Sequence, residues 1–124
     1  MKQDPTKPSF EELVIPLPRM TLSPPVPVEQ LHQSDGHSNF FGYAVNITRE
    51  GIFVPTVNPK PVGYRTRVRM LLPKIKVVIE GEIEVVWSRE FDPRKNKKAS
   101  GMGIRFVNLS DDTKEKIDAF IKKN

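Results

Sequence analysis

Two small polar side chains, Asn46 and Thr48, followed by Gly51, form the most informative group in this sequence. Apolar residues at 41, 43, 45 and 47 alternate with small or polar residues at 42, 44, 46 and 48. Because side chains two apart on a strand share a face, Asn46 and Thr48 are predicted to point away from the apolar side. Such a pair can hold a phosphate or a purine edge. Gly51 adds a position without Cβ, where the chain can take a positive φ or a ligand can approach the backbone.

The same residues allow two other interpretations. The segment from Thr48 to Gly51 is also a plausible hairpin turn whose glycine makes a bulge. Asn46-Ile47-Thr48 is in addition an N-glycosylation sequon, which matters only in a secreted eukaryotic chain, and no signal peptide precedes it. Spacing alone does not choose between a ligand site and a turn.

Length and composition restrict the class of protein. A chain of 124 residues is expected to form one small domain, which excludes a large enzyme scaffold. The absence of cysteine excludes disulfides and thiolate metal sites, and no apolar run approaches the roughly 18 residues of a membrane span. We therefore expect a soluble, cytoplasmic protein without membrane insertion. The net charge of +5 favours anionic partners without naming them.

Proline divides the chain. Seven prolines between positions 5 and 27 predict an extended or loosely ordered head. We accordingly divide the chain into a proline-rich arm, 1–25, and a domain, 26–124. Strands are predicted over 26–32, 39–48, 51–56, 65–72, 76–88 and 101–107. Six short strands separated by turn signals predict a mainly β fold, a closed or nearly closed six-stranded antiparallel barrel.

A helix is predicted at the end of the chain. Ser110 is a good N-cap, acidic residues follow it, and Lys122 and Lys123 lie at the opposite end, as the helix dipole favours. Ile117, Phe120 and Ile121 form an apolar stripe. We expect this stripe to cover an open end or a face of the barrel.

Two predicted strands carry opposite charges. Arginines at 65, 67 and 69 share one strand face, and glutamates at 80, 82 and 84 share another. If 73–76 form the loop, Leu72 pairs with Val77 and each arginine lies opposite a glutamate: Arg69 with Glu80, Arg67 with Glu82, and Arg65 with Glu84. This neutralisation argues against nucleic-acid binding through the strand. The basic segment 89–98 remains the better candidate for such binding.

Enzyme chemistry is not predicted. The two histidines, His32 and His37, belong to no metal or nucleophile spacing and are expected at the surface. The arginines account for the glutamates, and the chain has neither a Walker loop nor a dinucleotide fingerprint. We interpret the chain as a binding module with no catalytic residues, no metal and no cofactor.

Several motifs resemble those of one bacterial family. They are Asn39-Phe40-Phe41-Gly42-Tyr43, the segment 46–54, and Gly101-Met102-Gly103-Ile104-Arg105-Phe106 ahead of Leu109-Ser110 and a helix. In this order they resemble the PilZ domain family, particularly a branch common in deltaproteobacteria, over about residues 26–123. The resemblance implies a six-stranded barrel with a C-terminal helix and cyclic di-GMP as a candidate ligand. The family motif [D/N]-x-S-x-x-G, which contacts guanine and sugar-phosphate, maps onto Asn46, Thr48 and Gly51.

The second family motif is missing. Receptors carry R-x-x-x-R just ahead of the first strand, where this chain reads Thr21-Leu22-Ser23-Pro24-Pro25-Val26. Arg19 is the one basic residue nearby, while Arg65 and Arg69 have the spacing but lie in a later strand. A charge-assisted hydrogen bond contributes about 1.5 to 3 kcal/mol, so losing two arginines costs about 3 to 6 kcal/mol, or roughly a hundred- to ten-thousandfold in affinity.

Two functions follow from the resemblance. The leading one is an adaptor in a motility, pilus or surface-behaviour pathway, acting through a protein partner with weak or absent nucleotide binding. The alternative is a cyclic di-GMP receptor in which Arg19, Arg49 or the basic segment supplies the missing contacts.

Overall fold

Six antiparallel strands and one helix make up the fold of the computed structural model, which describes residues 20–32, 37–90, 92–94 and 100–122. The strands close into a barrel in the order β1-β2-β3-β6-β5-β4, so the predicted fold class is confirmed. Every strand pair is antiparallel. The elements are β1 (Met20–Leu31), β2 (Ser38–Ile47), β3 (Gly51–Pro55), β4 (Arg65–Leu72), β5 (Val77–Arg89), β6 (Gly101–Phe106) and α1 (Asp111–Lys122).

The first strand starts earlier than predicted. It begins at Met20 rather than at 26, so residues 20–25, which we had assigned to the arm, pair with β2. The register shifts between Thr21 and Val26, where four residues of β1 lie opposite Val45 alone. Prolines lack the N–H that a ladder requires, and a bulge of this kind accommodates them. Residues 1–19 of the predicted arm lie outside the described chain.

The prediction of which β2 side chains point into the barrel is wrong over most of the strand. Gly42 and Ala44 point into the barrel, whereas Tyr43 is exposed. A second register shift, opposite Val28 and Glu29, makes Phe41 the extra residue and reverses the alternation. A glycine is required at 42 because a Cβ there would lie 2.5 Å from Val54 Cγ1.

Strand alternation places Trp87 on the same predicted face as Ile83 and Val85, but a bulge displaces it. Its pairing with Gly103, after a register shift that follows Val85, places Trp87 on the outer wall rather than on the inner face. Phe53 also pairs with Gly103, and the Phe53 and Trp87 rings lie 5.7 Å apart. Gly103 therefore lies between Phe53 and Trp87 in the sheet.

The arginine and glutamate strands pair in the predicted register: Arg65 with Glu84, Arg67 with Glu82, and Arg69 with Glu80. The ion pairs are partly diagonal, since Arg67 contacts Glu80 (3.4 Å) and Arg65 contacts both Glu82 (3.6 Å) and Glu84 (3.4 Å). Within the described residues Arg69 forms no ion pair, so the expectation that a carboxylate neutralises every arginine of this strand is wrong for Arg69.

The terminal helix closes the core. Ser110 Oγ accepts the backbone N–H of Thr113 at 3.2 Å, which confirms the predicted N-cap. Ile117, Phe120 and Ile121 are buried and belong to the same apolar cluster as the inward side chains of the barrel. The stripe on the helix therefore completes the barrel core, as the sequence predicted.

Glu84 is the carboxylate in this ladder with the most contacts, because Arg105 donates to Glu84 Oε1 from Nε (3.1 Å) and Nη2 (2.8 Å) in addition to the contact with Arg65. We expect Glu84→Gln to lower the free energy of unfolding by about 1 kcal/mol, and Tm by about 4 °C. Glu80→Gln, with one longer contact, is the matched control and should change Tm by less than half as much. Thermal unfolding at low salt measures both changes in Tm. Equal decreases in the two variants would contradict the conclusion that Glu84 has the stronger ion-pair contacts.

Candidate functional site

The turn between β2 and β3 contains the residues that the sequence singled out. Thr48 is fully buried, and its Oγ1 accepts the backbone N–H groups of Glu50 (3.0 Å) and Gly51 (3.1 Å). The backbone N–H of Thr48 donates to the Gly51 carbonyl at 2.8 Å. The prediction that Thr48 points outward and is exposed is therefore wrong, because its hydroxyl lies within the turn; its part in ligand binding stays a prediction. The hairpin-turn interpretation describes this geometry.

Gly51 is needed for a contact within the barrel. It is buried and pairs with Arg105, and a Cβ at this position would overlap the backbone carbonyl of Ile104. Its φ is not positive, since the positive-φ glycines of the described chain are Gly42 and Gly63. The close backbone approach expected at Gly51 is thus made by β6.

Asn46 lies on the outer wall, as predicted. It pairs with Thr21 of β1 on one side and Phe53 of β3 on the other, and it is half-buried. Thr21 Oγ1 donates to Asn46 Oδ1 at 3.2 Å. Of the three predicted motif residues, Asn46 is the one whose side chain is accessible to a ligand on this wall; its role in binding remains a prediction.

Arg49 is held by acidic neighbours. Its Nη1 lies 3.3 Å from Asp118 Oδ2 of α1, and its Nε lies 3.7 Å from Glu50 Oε2. Glu50 in turn contacts Lys114 Nζ at 3.5 Å, and its carbonyl accepts the N–H of Phe106 at 2.8 Å. The turn is therefore fixed to β6 and to α1, and the charge of Arg49 is already neutralised within the chain.

The other basic candidates do not converge on the turn in the described chain. Arg19 lies outside the described residues, and the segment 21–26, where receptors of the family carry their arginines, is part of β1 and contains none. In the basic segment 89–98, the Arg89 guanidinium lies 4.6 Å over the Trp87 ring, and Arg94 lies 3.9 Å from Asp92. Residues 95–99 lie outside the described chain.

The described residues contain no group of three side chains that could hold a metal ion. His37 is exposed, whereas His32 is half-buried and receives a hydrogen bond of 2.8 Å from Asn39 Nδ2. No helix within the described ranges has the length and apolar character needed to cross a bilayer.

A groove that the sequence did not predict lies on another wall. Its volume is about 490 Å³, and it lies where the bulged prolines of β1 meet β4. Arg69 and Leu71 line it from β4. The signal in the sequence is the group of Pro24, Pro25 and Pro27, which the predicted boundary at 25 divides between the arm and the first strand.

Comparisons with known proteins agree on one fold. The model of the PilZ domain family matches residues 18–123. One similar solved structure is the inhibitor of motility MotI/DgrA of Bacillus subtilis, with 16% sequence identity and a TM-score of 0.66 over 87% of this chain and 49% of that chain. Another is the PilZ domain of Escherichia coli YcgR with cyclic di-GMP, with 16% sequence identity and a TM-score of 0.59 over 85% of this chain and 86% of that chain. A structure of Escherichia coli YcgR in complex with cyclic di-GMP is also similar, with 14% sequence identity and a TM-score of 0.63 over 85% of this chain and 43% of that chain.

The chain spans about half the length of the Bacillus protein and less than half of that YcgR chain. No curated protein matches in sequence.

The buried hydroxyl of Thr48 generates a stability prediction. Thr48→Val leaves two backbone N–H groups without their acceptor and should lower the free energy of unfolding by about 2 kcal/mol. Thr48→Ser keeps the hydroxyl and should cost less than about 1.5 kcal/mol. Urea denaturation of both variants measures the difference. A valine variant as stable as the parent would show that the hydroxyl does not hold the turn.

Proposed function

Because the chain belongs to the PilZ domain family, we propose that it is a non-enzymatic regulatory module of bacterial cyclic di-GMP signalling or of motility and type IV pilus pathways. It acts in the cytoplasm as an adaptor, mainly through contact with a protein partner. Its binding of cyclic di-GMP is weak or absent. Nucleic acid is not its partner.

The observation that carries this proposal is the internal use of the motif residues. The hydroxyl of Thr48 is fully buried, and both of its acceptor positions are used by backbone N–H groups of the turn. Gly51 is covered by the carbonyl of Ile104. Asn46 alone would then contact the nucleotide, and one neutral hydrogen bond contributes only about 1 kcal/mol.

The charge around the turn also supports weak binding. Cyclic di-GMP carries two phosphates, and guanidinium groups are the side chains best suited to bind them. Arg49 already contacts Asp118 and Glu50, so a phosphate would have to displace these carboxylates. Such an exchange adds little binding free energy, because the phosphate only replaces the carboxylates that already contact Arg49.

The similar structures motivate the biological setting. One is named for the inhibition of motility and another contains cyclic di-GMP in a PilZ domain. We place the present chain in the same kind of pathway on the strength of its family and not of the overall likeness, which shows the fold alone at this identity.

Isothermal titration calorimetry with cyclic di-GMP tests the proposal. We expect a dissociation constant weaker than about 100 µM, since the lost arginine contacts reduce a micromolar affinity by roughly a hundredfold or more. The isolated PilZ domain of YcgR is a suitable positive control for the nucleotide stock. A dissociation constant at or below a few micromolar would overturn the proposal.

A second candidate function is a genuine cyclic di-GMP receptor with a substitute arginine. It is favoured by the position of Arg49, whose side chain is 46% exposed beside the turn and could turn from Asp118 to a phosphate. Arg19 is the other candidate named by the sequence.

Removing the competing carboxylate separates the two functions. Asp118→Asn removes the nearer of the two carboxylates that contact Arg49, so a receptor that uses Arg49 should bind cyclic di-GMP several-fold more tightly, whereas we expect no change in affinity. If Arg19 supplies the contact instead, Arg19→Ala combined with Asn46→Ala abolishes binding. Calorimetry on these variants, with Asp112→Asn on the same helix as the matched control, distinguishes the cases.

A further inference from the structure

An exposed apolar row crosses four neighbouring strands on the outer surface of the barrel. Pro27 pairs with Tyr43, and Leu71 pairs with Val78. Val28 pairs with Met70, so Pro27 lies beside Leu71 and joins the two pairs. The apolar row therefore runs Tyr43, Pro27, Leu71, Val78 across β2, β1, β4 and β5.

The side chains of this row face solvent. Tyr43 is 52% exposed, Leu71 48% and Val78 47%, and Phe40, whose ring centre lies 4.9 Å from that of Tyr43, is 62% exposed. With the neighbouring exposed prolines they present on the order of 500 Å² of apolar surface. A patch of this size on a monomer is often an interaction site.

A charged row lies directly beside the apolar row. Glu29 pairs with Arg69, and Arg69 pairs with Glu80, all three being exposed. Within the described residues neither Glu29 nor Arg69 forms an ion pair, although the two residues lie opposite each other in the sheet. Glu80 forms its ion pair with Arg67. An unpaired carboxylate and an unpaired guanidinium thus lie side by side at the centre of the wall.

This arrangement is complementary to itself, and we propose that the wall formed by β1 and β4 binds a second copy of this chain. A twofold axis between the two walls and parallel to their strands brings β1 of one copy over β4 of the other. Pro27 then meets Leu71 of the second copy, and Glu29 meets its Arg69. Each contact occurs twice. The apolar rows of the two copies cover each other, and each Glu29 lies opposite an Arg69 of the other copy.

The size of the face places the dimer among small interfaces. Two such faces bury about 1,000 Å² in total, which is the lower limit for a specific interface. The dimer is therefore weak and forms reversibly, with a dissociation constant on the order of 100 µM. The inference goes beyond the proposed adaptor function and does not involve cyclic di-GMP, so either can fail without the other.

Sedimentation of the full chain without nucleotide, from about 1 µM to about 1 mM, tests whether it dimerises. A concentration-dependent shift from monomer to dimer is expected. A chain that stays monomeric throughout, or that forms larger open assemblies, overturns the proposal. Leu71→Asp should abolish the dimer, whereas Val62→Asp, an equally apolar and exposed position outside the wall, should leave it unchanged. Equal effects of the two variants also overturn it.

A charge exchange tests the geometry. Glu29→Arg and Arg69→Glu each place like charges opposite one another in the dimer, so each should dimerise at least about tenfold more weakly. Mixed in equal amounts, the two variants restore opposite charges at both contacts and should form a heterodimer at the parent affinity. Because both variants must be folded for the mixture to associate, misfolding cannot imitate this result. A mixture that associates no more tightly than either variant alone contradicts the twofold arrangement.

Discussion

The approach of β3 to β6 at Gly51 is the constraint on which the barrel depends. The backbone of Gly51 lies against the Ile104 carbonyl with no space for a Cβ, and Thr48 Oγ1 fixes the preceding turn through two N–H groups. The tight turn after β2 leads directly into β3, which pairs with β6 in the closed sheet. The contact of Arg49 with Asp118 then ties the same turn to the helix that completes the core.

Two of the three motif residues are used within the fold. Thr48 and Gly51, which match the ligand motif of PilZ receptors, are engaged in closing the barrel, and Asn46 lies half-buried on the outer wall. An exposed apolar row and the charges of Glu29 and Arg69 lie on a different part of the surface, centred on the wall of β1 and β4.

Much of the fold was predictable because local patterns determined it. The spacing from Leu72 to Val77 sets the register of β4 and β5, and Ser110 with the apolar stripe defines the helix. The side-chain directions of Tyr43 and Trp87 were not predictable, because bulges reverse the alternation and depend on both paired strands. The burial of Thr48 was missed for a related reason, since strand alternation ends where the turn begins. The binding roles of Asn46, Thr48 and Gly51 remain predictions from a family motif.

Amide chemical shifts recorded during a titration with cyclic di-GMP test the central claim most directly, because they report on each residue of the turn. If the turn serves the barrel, the amides of Asn46, Thr48 and Gly51 keep their shifts up to millimolar nucleotide. Saturable shifts at these amides, with an affinity in the low micromolar range, would show that the turn binds the ligand and would contradict the account.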